Sequence, residues 1–174
     1  MFSENFIFID TALENINFFA VNNKKNYSLK IKNIQKSENL PILLKKFLSS
    51  NKIKINNTFN VYINLGPGNL IAIRNAITTA KAFSIIYNCN IFGVSFFDIL
   101  KLKNNTNKIL INFKKNVIGF DIKNKVAHKI LEPKIVNKSR KKFSNINIKV
   151  EDIKSVISLK KFTKKIVPIP LSSI

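Results

Sequence analysis

Apolar and polar positions alternate along the first 103 residues in a pattern that predicts strands and helices in turn. Residues 6–10 (FIFID) form a continuous apolar run that ends in an acid, which is typical of a central strand buried on both faces. Residues 37–50 (SENLPILLKKFLSS) carry leucine and phenylalanine at helical spacing on one stripe, with Ser37 as the expected N-cap. The predicted strands are 6–10, 15–21, 27–33, 60–65 and 91–95, and the predicted helices are 37–50, 69–87 and one beginning at 96.

The order of these elements predicts an α/β fold. Strands that alternate with helices need parallel pairing and crossover connections, whereas the first three strands form an antiparallel meander. This is the layout of a ribonuclease-H-like half of an actin-type (ASKHA) fold, with a mixed sheet flanked by helices. We expect an N-terminal domain over residues 1–102. Residues 103–174 should form a reduced second domain with a hairpin at 108–123, a helix at 151–162 and an extended tail.

The helix predicted at 69–87 has more apolar surface than one sheet can cover. Its polar positions (Arg74, Asn75, Thr78, Lys81) lie on one narrow face, and the apolar arc is far wider than the ~100° of an ordinary surface helix. Four of the seven alanines of the chain lie in this helix, and Ala72, Ala76 and Ala80 are spaced four apart. Such small side chains permit close helix packing. The second domain could cover this excess, or the helix could form a protein interface.

Two short segments suggest phosphate binding, and each has a structural alternative. Gly66 and Gly68 flank a proline between a strand and a helix, where backbone N–H groups can bind an anion; a tight turn with positive φ explains them equally. Asp10 and Thr11 end the first strand, where actin-like ATPases hold phosphate and magnesium, although turn capping by Asp is the simpler explanation. These four residues are candidates for a vestigial phosphate loop.

Charge gives a weaker indication of function. The formal net charge is +21, and residues 101–174 carry 19 basic and 4 acidic groups. Nucleic-acid binding would explain this excess. The abundance of Lys, Asn, Ile and Phe, with only two arginines, is also the composition that an AT-rich genome produces. If RNA binds, the second half is the better candidate, through residues such as Lys138, Lys141 and Lys142.

The remaining chemistry is sparse. Cys89 and His128 are the only residues of their types, so we expect no disulfide, no metal site and no cysteine or histidine catalysis. No segment has the features of a signal peptide or a membrane span, and we expect a soluble cytoplasmic protein that does not bind membranes. No cofactor is expected.

Four blocks between residues 6 and 100 together resemble the TsaB (YeaZ) family. They are FIFIDTALENINFFAV, KSENLPILLKKFL, NLGPGNLIAIRNAITTAKAF and NIFGVSFFDIL, in the order found in that family. The third block is the most specific. Asn69 to Ala72 depart from the family's Ser-Phe-Thr-Gly at this loop, so the lost hydroxyls and glycine weaken the case for nucleotide binding there.

The resemblance implies a function in which the chain is not itself the catalyst. It implies a scaffold that binds and activates TsaD, which transfers threonylcarbamoyl to the tRNA adenosine beside the anticodon; a TsaE-like ATPase joins, and tRNA is contacted indirectly. A homodimer is the alternative when the chain is alone. Rival interpretations are a basic RNA-binding module and a degenerate actin-fold kinase. The expected partner interface comprises Leu40, Leu44, Leu70, Ala72, Ile73, Ala76, Ala80 and Phe83.

Overall fold

A mixed sheet forms the centre of the fold in a computed structural model of the chain, which describes residues 4–32, 34–103, 108–113, 116–130 and 148–169. The sheet has five strands in the order β3-β2-β1-β4-β5. A second, three-stranded sheet has the order β6-β7-β8. The strands are β1 (Phe6–Asp10), β2 (Asn15–Asn22), β3 (Lys25–Lys32), β4 (Asn60–Asn64), β5 (Asn90–Val94), β6 (Lys108–Phe113), β7 (Asn116–Asp121) and β8 (Val126–Ile130). The helices are a 3-10 helix (Ile34–Asn39), α1 (Leu40–Ser50), α2 (Leu70–Tyr87), α3 (Phe96–Lys103) and α4 (Val150–Ser158).

The pairing of β1 agrees with the predicted topology. It runs antiparallel to β2 and parallel to β4, and β4 in turn runs parallel to β5. Every residue of β1 is buried, as expected for a central strand with both faces covered. Ile7 and Ile9 face one core, and Phe6 and Phe8 face the other. The carboxyl ends of β1, β4 and β5 therefore lie at the same edge of the sheet.

Two hydrophobic cores lie on opposite faces of the five-stranded sheet. The first contains α1 and α2 together with Ile7 and Ile9. The second joins Phe6 and Phe8 to buried side chains of α3, the three-stranded sheet and α4, including Ile111. The second half of the chain thus covers the sheet face that the first half leaves open. The division into domains at residue 102 remains a prediction.

Two predicted helices have different boundaries in the structure. The helix expected from Ser37 begins as a 3-10 helix, and α1 proper begins at Leu40 with Pro41 in its first turn, where a missing N–H costs no hydrogen bond. Ser37 does not cap α1; its Oγ accepts a hydrogen bond from Asn75 Nδ2 of α2 at 3.2 Å. The last helix, α4, ends at Ser158 rather than at residue 162. The chain turns at Lys160, which has a φ of 52°, and Phe162 packs against the five-stranded sheet.

The alanine face of α2 is buried inside the chain, which corrects the expected partner interface. Ala72, Ala76 and Ala80 are almost fully buried in the first core. The close helix packing that they permit is intramolecular, because α2 contacts the 3-10 helix, α1 and strands β1, β4 and β5. The other predicted interface residues that are buried in the same core are Leu40, Leu44, Ile73 and Phe83. Of the eight, only Leu70 is exposed, at 40%.

We expect Ala76→Glu to destabilise the fold rather than to disturb a partner. Ala76 is 0% exposed, and an unpaired carboxylate buried there should cost several kcal/mol in the free energy of unfolding. Urea denaturation followed by circular dichroism measures the loss. Thr78→Glu is the matched control, because Thr78 is exposed on the same helix and its change should cost less than about 0.5 kcal/mol. Equal stability of the two variants would contradict the burial of the alanine face.

Candidate protein-interaction face and the glycine loop

The outer face of α2 carries an apolar stripe that is exposed in the part of the chain that the structure describes. Ile71 is 70% exposed and Ile85 is 83% exposed. They lie seven positions before and after Thr78, so all three share one side of the helix. Ala82 is exposed between them and has no bulk that would keep another helix away. We call this stripe, formed by Ile71, Thr78, Ala82 and Ile85, the outer face of α2.

An apolar groove adjoins the outer face where α1 meets the last turns of α2. Its volume is about 710 Å³. Ile42, at the start of α1, is 56% exposed at this groove, and Ile86 is exposed on the α2 side. Other lining residues are Leu48, Ile53, Phe83 and Tyr87. The groove and the outer face together make a broad apolar surface, and such surfaces mark interaction sites more often than isolated exposed side chains do.

The border of this surface is positively charged. Arg74 and Lys81 flank the stripe on α2, and Lys45 and Lys46 are exposed on α1. Neither helix contains an aspartate or a glutamate. The surface therefore has an apolar centre and a cationic border, and the partner that fits it best has an apolar centre and acidic residues around it.

The glycine loop is closed by contacts within the chain. Gly66 has a φ of +90°, a conformation that favours glycine. Gly68 lies so close to the turn after β1 that a Cβ would overlap the carbonyl oxygen of Ala12. The next residue, Asn69, donates its backbone N–H to that same oxygen at 2.7 Å and caps α2 by accepting a hydrogen bond from the N–H of Ala72. The loop is thus a packed strand-to-helix connection.

Asp10 is the buried centre of a small polar network beside this loop. Its carboxylate accepts hydrogen bonds from the N–H of Ala12 at 3.1 Å, from Asn17 Nδ2 at 3.0 Å and from Asn64 Nδ2 at 2.9 Å. Asn64 Oδ1 accepts in turn from the N–H of Gly66 at 3.0 Å. Burial raises the pKa of the Asp10 carboxyl above its ordinary value, and the three donated hydrogen bonds offset only part of that increase.

The structure brings the four candidate phosphate-loop residues together but gives them structural roles. The N–H groups of Gly66 and Asn69, which an anion would need, already donate to protein atoms. The Thr11 hydroxyl donates to the carbonyl of Ala72 at 2.9 Å, so it anchors the first turn of α2. The geometry favours the turn and capping alternatives for these residues over a phosphate site.

The remaining candidates of the sequence analysis have little chemistry in the structure. Cys89 is buried, and burial raises the pKa of its thiol. Among the described residues, no group of three or more His, Cys, Asp and Glu side chains could hold a metal ion. Within the same part of the chain, no helix has the length and hydropathy needed to cross a membrane. Lys138, Lys141 and Lys142 lie outside the described residues, as does the environment of the His128 side chain.

Sequence reasoning missed the residues that form the outer face. It identified the polar side of α2 correctly, with Arg74, Asn75, Thr78 and Lys81, but treated the apolar remainder as one surface. Ile71 and Ile85 lie on the polar side because they are seven positions from Thr78. Counting seven positions in each direction from Thr78 would therefore have placed both isoleucines on the exposed side of the helix. Asn17 and Asn64 were also missed, because nothing in their local sequence indicates that they meet Asp10.

Comparison with curated proteins finds a relative that aligns with about half of the chain. It is 33% identical over 97 residues to the tRNA threonylcarbamoyladenosine biosynthesis protein TsaB of Buchnera aphidicola subsp. Schizaphis graminum (strain Sg). That alignment covers 55% of this chain and 46% of the relative, so the chain spans about half the length of the curated relative it matches. No family model matches the chain.

Comparison with solved structures extends over almost the whole chain. YeaZ from Pseudomonas aeruginosa superimposes with a TM-score of 0.66, covering 95% of this chain and 99% of that one, at 11% sequence identity. A second protein, described as uncharacterized with similarity to the peptidase YeaZ from Pseudomonas aeruginosa, has a TM-score of 0.67 over 97% of this chain and 100% of its own, also at 11% identity. These likenesses confirm the predicted fold class, an actin-like, ribonuclease-H-like α/β fold.

We expect Gly68→Ala to lower the free energy of unfolding by at least about 2 kcal/mol, because its new methyl group must displace the backbone at Ala12. The measurement is urea denaturation of the purified chain. Asn69→Ala is the control at the neighbouring position, where the loss of one helix cap should cost about 1 kcal/mol. A Gly68→Ala variant as stable as the native chain would show that the loop is not tightly packed on β1.

We expect Asp10 to make the chain less stable as the pH rises. Its folded-state pKa is raised above the ordinary value of 3.8, so above pH 3.8 the unfolded chain releases this proton before the folded chain does. That difference lowers the free energy of unfolding by up to about 1.4 kcal/mol per pH unit until the folded pKa is passed. Urea denaturation over a pH series, for the native chain and Asp10→Asn, isolates the effect in the difference between the two. A difference that is constant with pH would contradict the raised pKa.

Proposed function

We propose that the chain acts in the biosynthesis of tRNA threonylcarbamoyladenosine as a scaffold that binds and activates a TsaD-like transferase. The scaffold itself carries out no catalytic step. The proposal combines the similarity to TsaB (YeaZ) proteins in sequence and fold with one structural observation, the exposed outer face of α2. The partner docks on this face and on the adjoining groove between α1 and α2.

The outer face supports a helix-packing mode of docking. Thr78 and Ala82 are small enough to let a second helix approach closely, and Ile71 and Ile85 provide apolar contacts at the two ends of the stripe. Helix axes in such contacts are separated by about 8 to 10 Å. A partner helix laid along this stripe would bury four exposed positions over four turns of α2. The inner face of α2, which carries Ala72, Ala76 and Ala80, takes no part in docking, because it packs in the chain's own core.

The cationic border favours a different protein over a second copy of the chain. In a symmetric dimer through the outer face, Arg74 and Lys81 of one copy would approach the same residues of the other, and like charges placed together across an interface disfavour association. A partner with acidic residues around an apolar centre avoids that repulsion. We therefore propose a heterodimer with the TsaD-like protein as the functional assembly, and weaker self-association when the chain is alone.

The closed glycine loop supports a non-catalytic role. A degenerate kinase would need the N–H groups of Gly66 and Asn69 to bind phosphate, and these groups are engaged within the chain. Asp10 accepts its hydrogen bonds from two asparagine side chains and one backbone N–H, so it is placed as a structural acceptor. In the proposed assembly the TsaD-like protein supplies the chemistry, a TsaE-like ATPase joins the complex, and tRNA is modified at the partner's site.

We expect Ile71→Glu and Ile85→Glu each to weaken binding of the TsaD-like protein at least about a hundredfold. Burying an unpaired carboxylate in a protein interface costs several kcal/mol, and about 2.8 kcal/mol corresponds to that factor. The test co-expresses the tagged chain with the TsaD-like protein of the same organism and measures the partner recovered on affinity purification. Titration calorimetry of the purified proteins then gives the change in Kd.

Leu159→Glu is the matched control, since Leu159 is 55% exposed and lies just after α4, away from the outer face. The Leu159→Glu variant places the same negative charge at another exposed apolar position and should bind the partner normally. Circular dichroism of all three variants should match that of the native chain, because each position is exposed. If both α2 variants recover the partner as well as the control does, the partner binds elsewhere on the chain.

A further inference from the structure

A second surface lies at the carboxyl ends of β4 and β5, apart from the outer face of α2. It is a cleft of about 600 Å³. Leu65 follows β4 and Ser95 follows β5, and together they form one wall. Residues 160–169, which follow α4, form the other wall. In open α/β sheets this edge is where ligands bind, and here the glycine loop beside it is closed.

The second wall is held firmly against the sheet. Thr163 and Gly93 exchange two backbone hydrogen bonds, at 2.9 and 2.8 Å, in an antiparallel bridge to β5. The Phe162 ring contacts the rings of Tyr62 and Phe92, with centroid distances of 5.5 and 4.9 Å. Further along, the N–H of Ile169 donates to the carbonyl of Leu65 at 2.8 Å. These contacts anchor Phe162, Thr163 and Ile169, and they therefore hold the backbone that carries the lysines near Phe162.

The cleft is strongly positive. Among the described residues that line it, four are lysines and a single one, Asp98, is acidic. Lys125 Nζ lies 3.8 Å from Asp98 Oδ1 at the surface, which leaves the other three lysines to give the cleft its net charge. An apolar patch that includes Leu65 and Val167 lies beside them. The lining lysines are Lys125, Lys160, Lys161 and Lys165.

We propose that this cleft binds the phosphodiester backbone of RNA. Lysine head groups act as point charges that contact phosphates without reading sequence. Lys160, Lys161 and Lys165 lie within one six-residue segment along the cleft, an arrangement that suits several phosphates of one strand better than a single anion. The apolar patch offers a surface for ribose or base. The choice of RNA as the polyanion rests on the proposed function, whereas the phosphate contacts rest on the cleft alone.

The same lysines also have a structural explanation that does not involve RNA. Lysines on or near an edge strand prevent unwanted pairing with other chains, and β5 is an edge of its sheet. In that case the lysines would matter for solubility and not for RNA. Edge strand β3, at the opposite side of the sheet, carries the exposed lysines Lys25, Lys30 and Lys32 and provides a matched comparison.

The experiment measures fluorescence anisotropy of a labelled, unmodified tRNA transcript and of an oligouridylate of about 20 nucleotides against the full chain alone. Potassium chloride is varied from about 50 to about 200 mM. The cleft variant is Lys160→Gln/Lys161→Gln/Lys165→Gln, which removes the three lysines that give the cleft its net charge, and the control is Lys25→Gln/Lys30→Gln/Lys32→Gln. Each variant removes three positive charges. Thermal unfolding and size-exclusion chromatography verify that each is folded and monodisperse.

We expect the native chain and the control to bind with a logarithmic salt slope of roughly −2 to −4, since each phosphate contact contributes about −0.7 to −0.9. The cleft variant should have a slope shallower by about 2 and a Kd at least about tenfold higher at the lowest salt. ATP and inorganic phosphate at millimolar concentration should not displace the RNA. Because the partner is not needed, Ile85→Glu should bind RNA like the native chain.

Three results would overturn the assignment. Equal losses in the cleft and β3 variants would show that binding follows total charge and not the cleft. If the native chain binds no RNA at low salt, the lysines serve only to protect the edge strand from pairing with other chains. Saturable binding of ATP or phosphate that excludes RNA would assign the cleft to a small anion. None of these results bears on recovery of the TsaD-like protein by the outer face, so the two proposals fail separately.

Discussion

The buried carboxylate of Asp10 and the amide of Asn64 lie side by side at the ends of two parallel strands, and the position of the glycine loop and of α2 depends on their contact. Through them β1, β2 and β4 are joined to the glycine loop by four hydrogen bonds. Burying a carboxyl group is costly, as its raised pKa shows, and the donated hydrogen bonds limit that cost. At Gly68 the loop that they position then meets the turn after β1, where only glycine has room. This arrangement sets where α2 begins.

Once the start of α2 is set, its two sides acquire different roles. The small side chains of Ala72, Ala76 and Ala80 let the helix settle onto the sheet and the preceding helices, so they contribute to stability. These small side chains permit close packing within the chain. The exposed isoleucines Ile71 and Ile85 add nothing to that core, and leaving large apolar side chains in water is unfavourable. Their exposure is easiest to understand if another protein covers them.

The second half of the chain supports the first in two ways. Its strands and last helix cover the sheet face that carries Phe6 and Phe8. The segment after α4 then crosses to β5, where Phe162 packs against Tyr62 and Phe92 and Thr163 bridges Gly93. Anchoring of Phe162 and Thr163 in this way leaves Lys160 and Lys161 on one side of the pair, and Lys165 on the other, to line the cleft. Composition alone could explain the excess of lysine, but the fold brings several of these lysines together in one positive cleft.

The sequence by itself determined the order and type of the elements in the first 103 residues, the α/β fold class and the resemblance to TsaB (YeaZ) proteins, because these follow from local periodicity and from motifs that are contiguous in the chain. It did not determine which side of α2 faces the core. An all-round apolar helix has no clear preference in its own sequence, and only contact with α1, the 3-10 helix and the sheet selects the alanine side. The meeting of Asp10 with Asn64, and of residues 160–165 with β5, was equally beyond prediction. Such pairs are distant in sequence, and packing of the whole chain decides which of them come together.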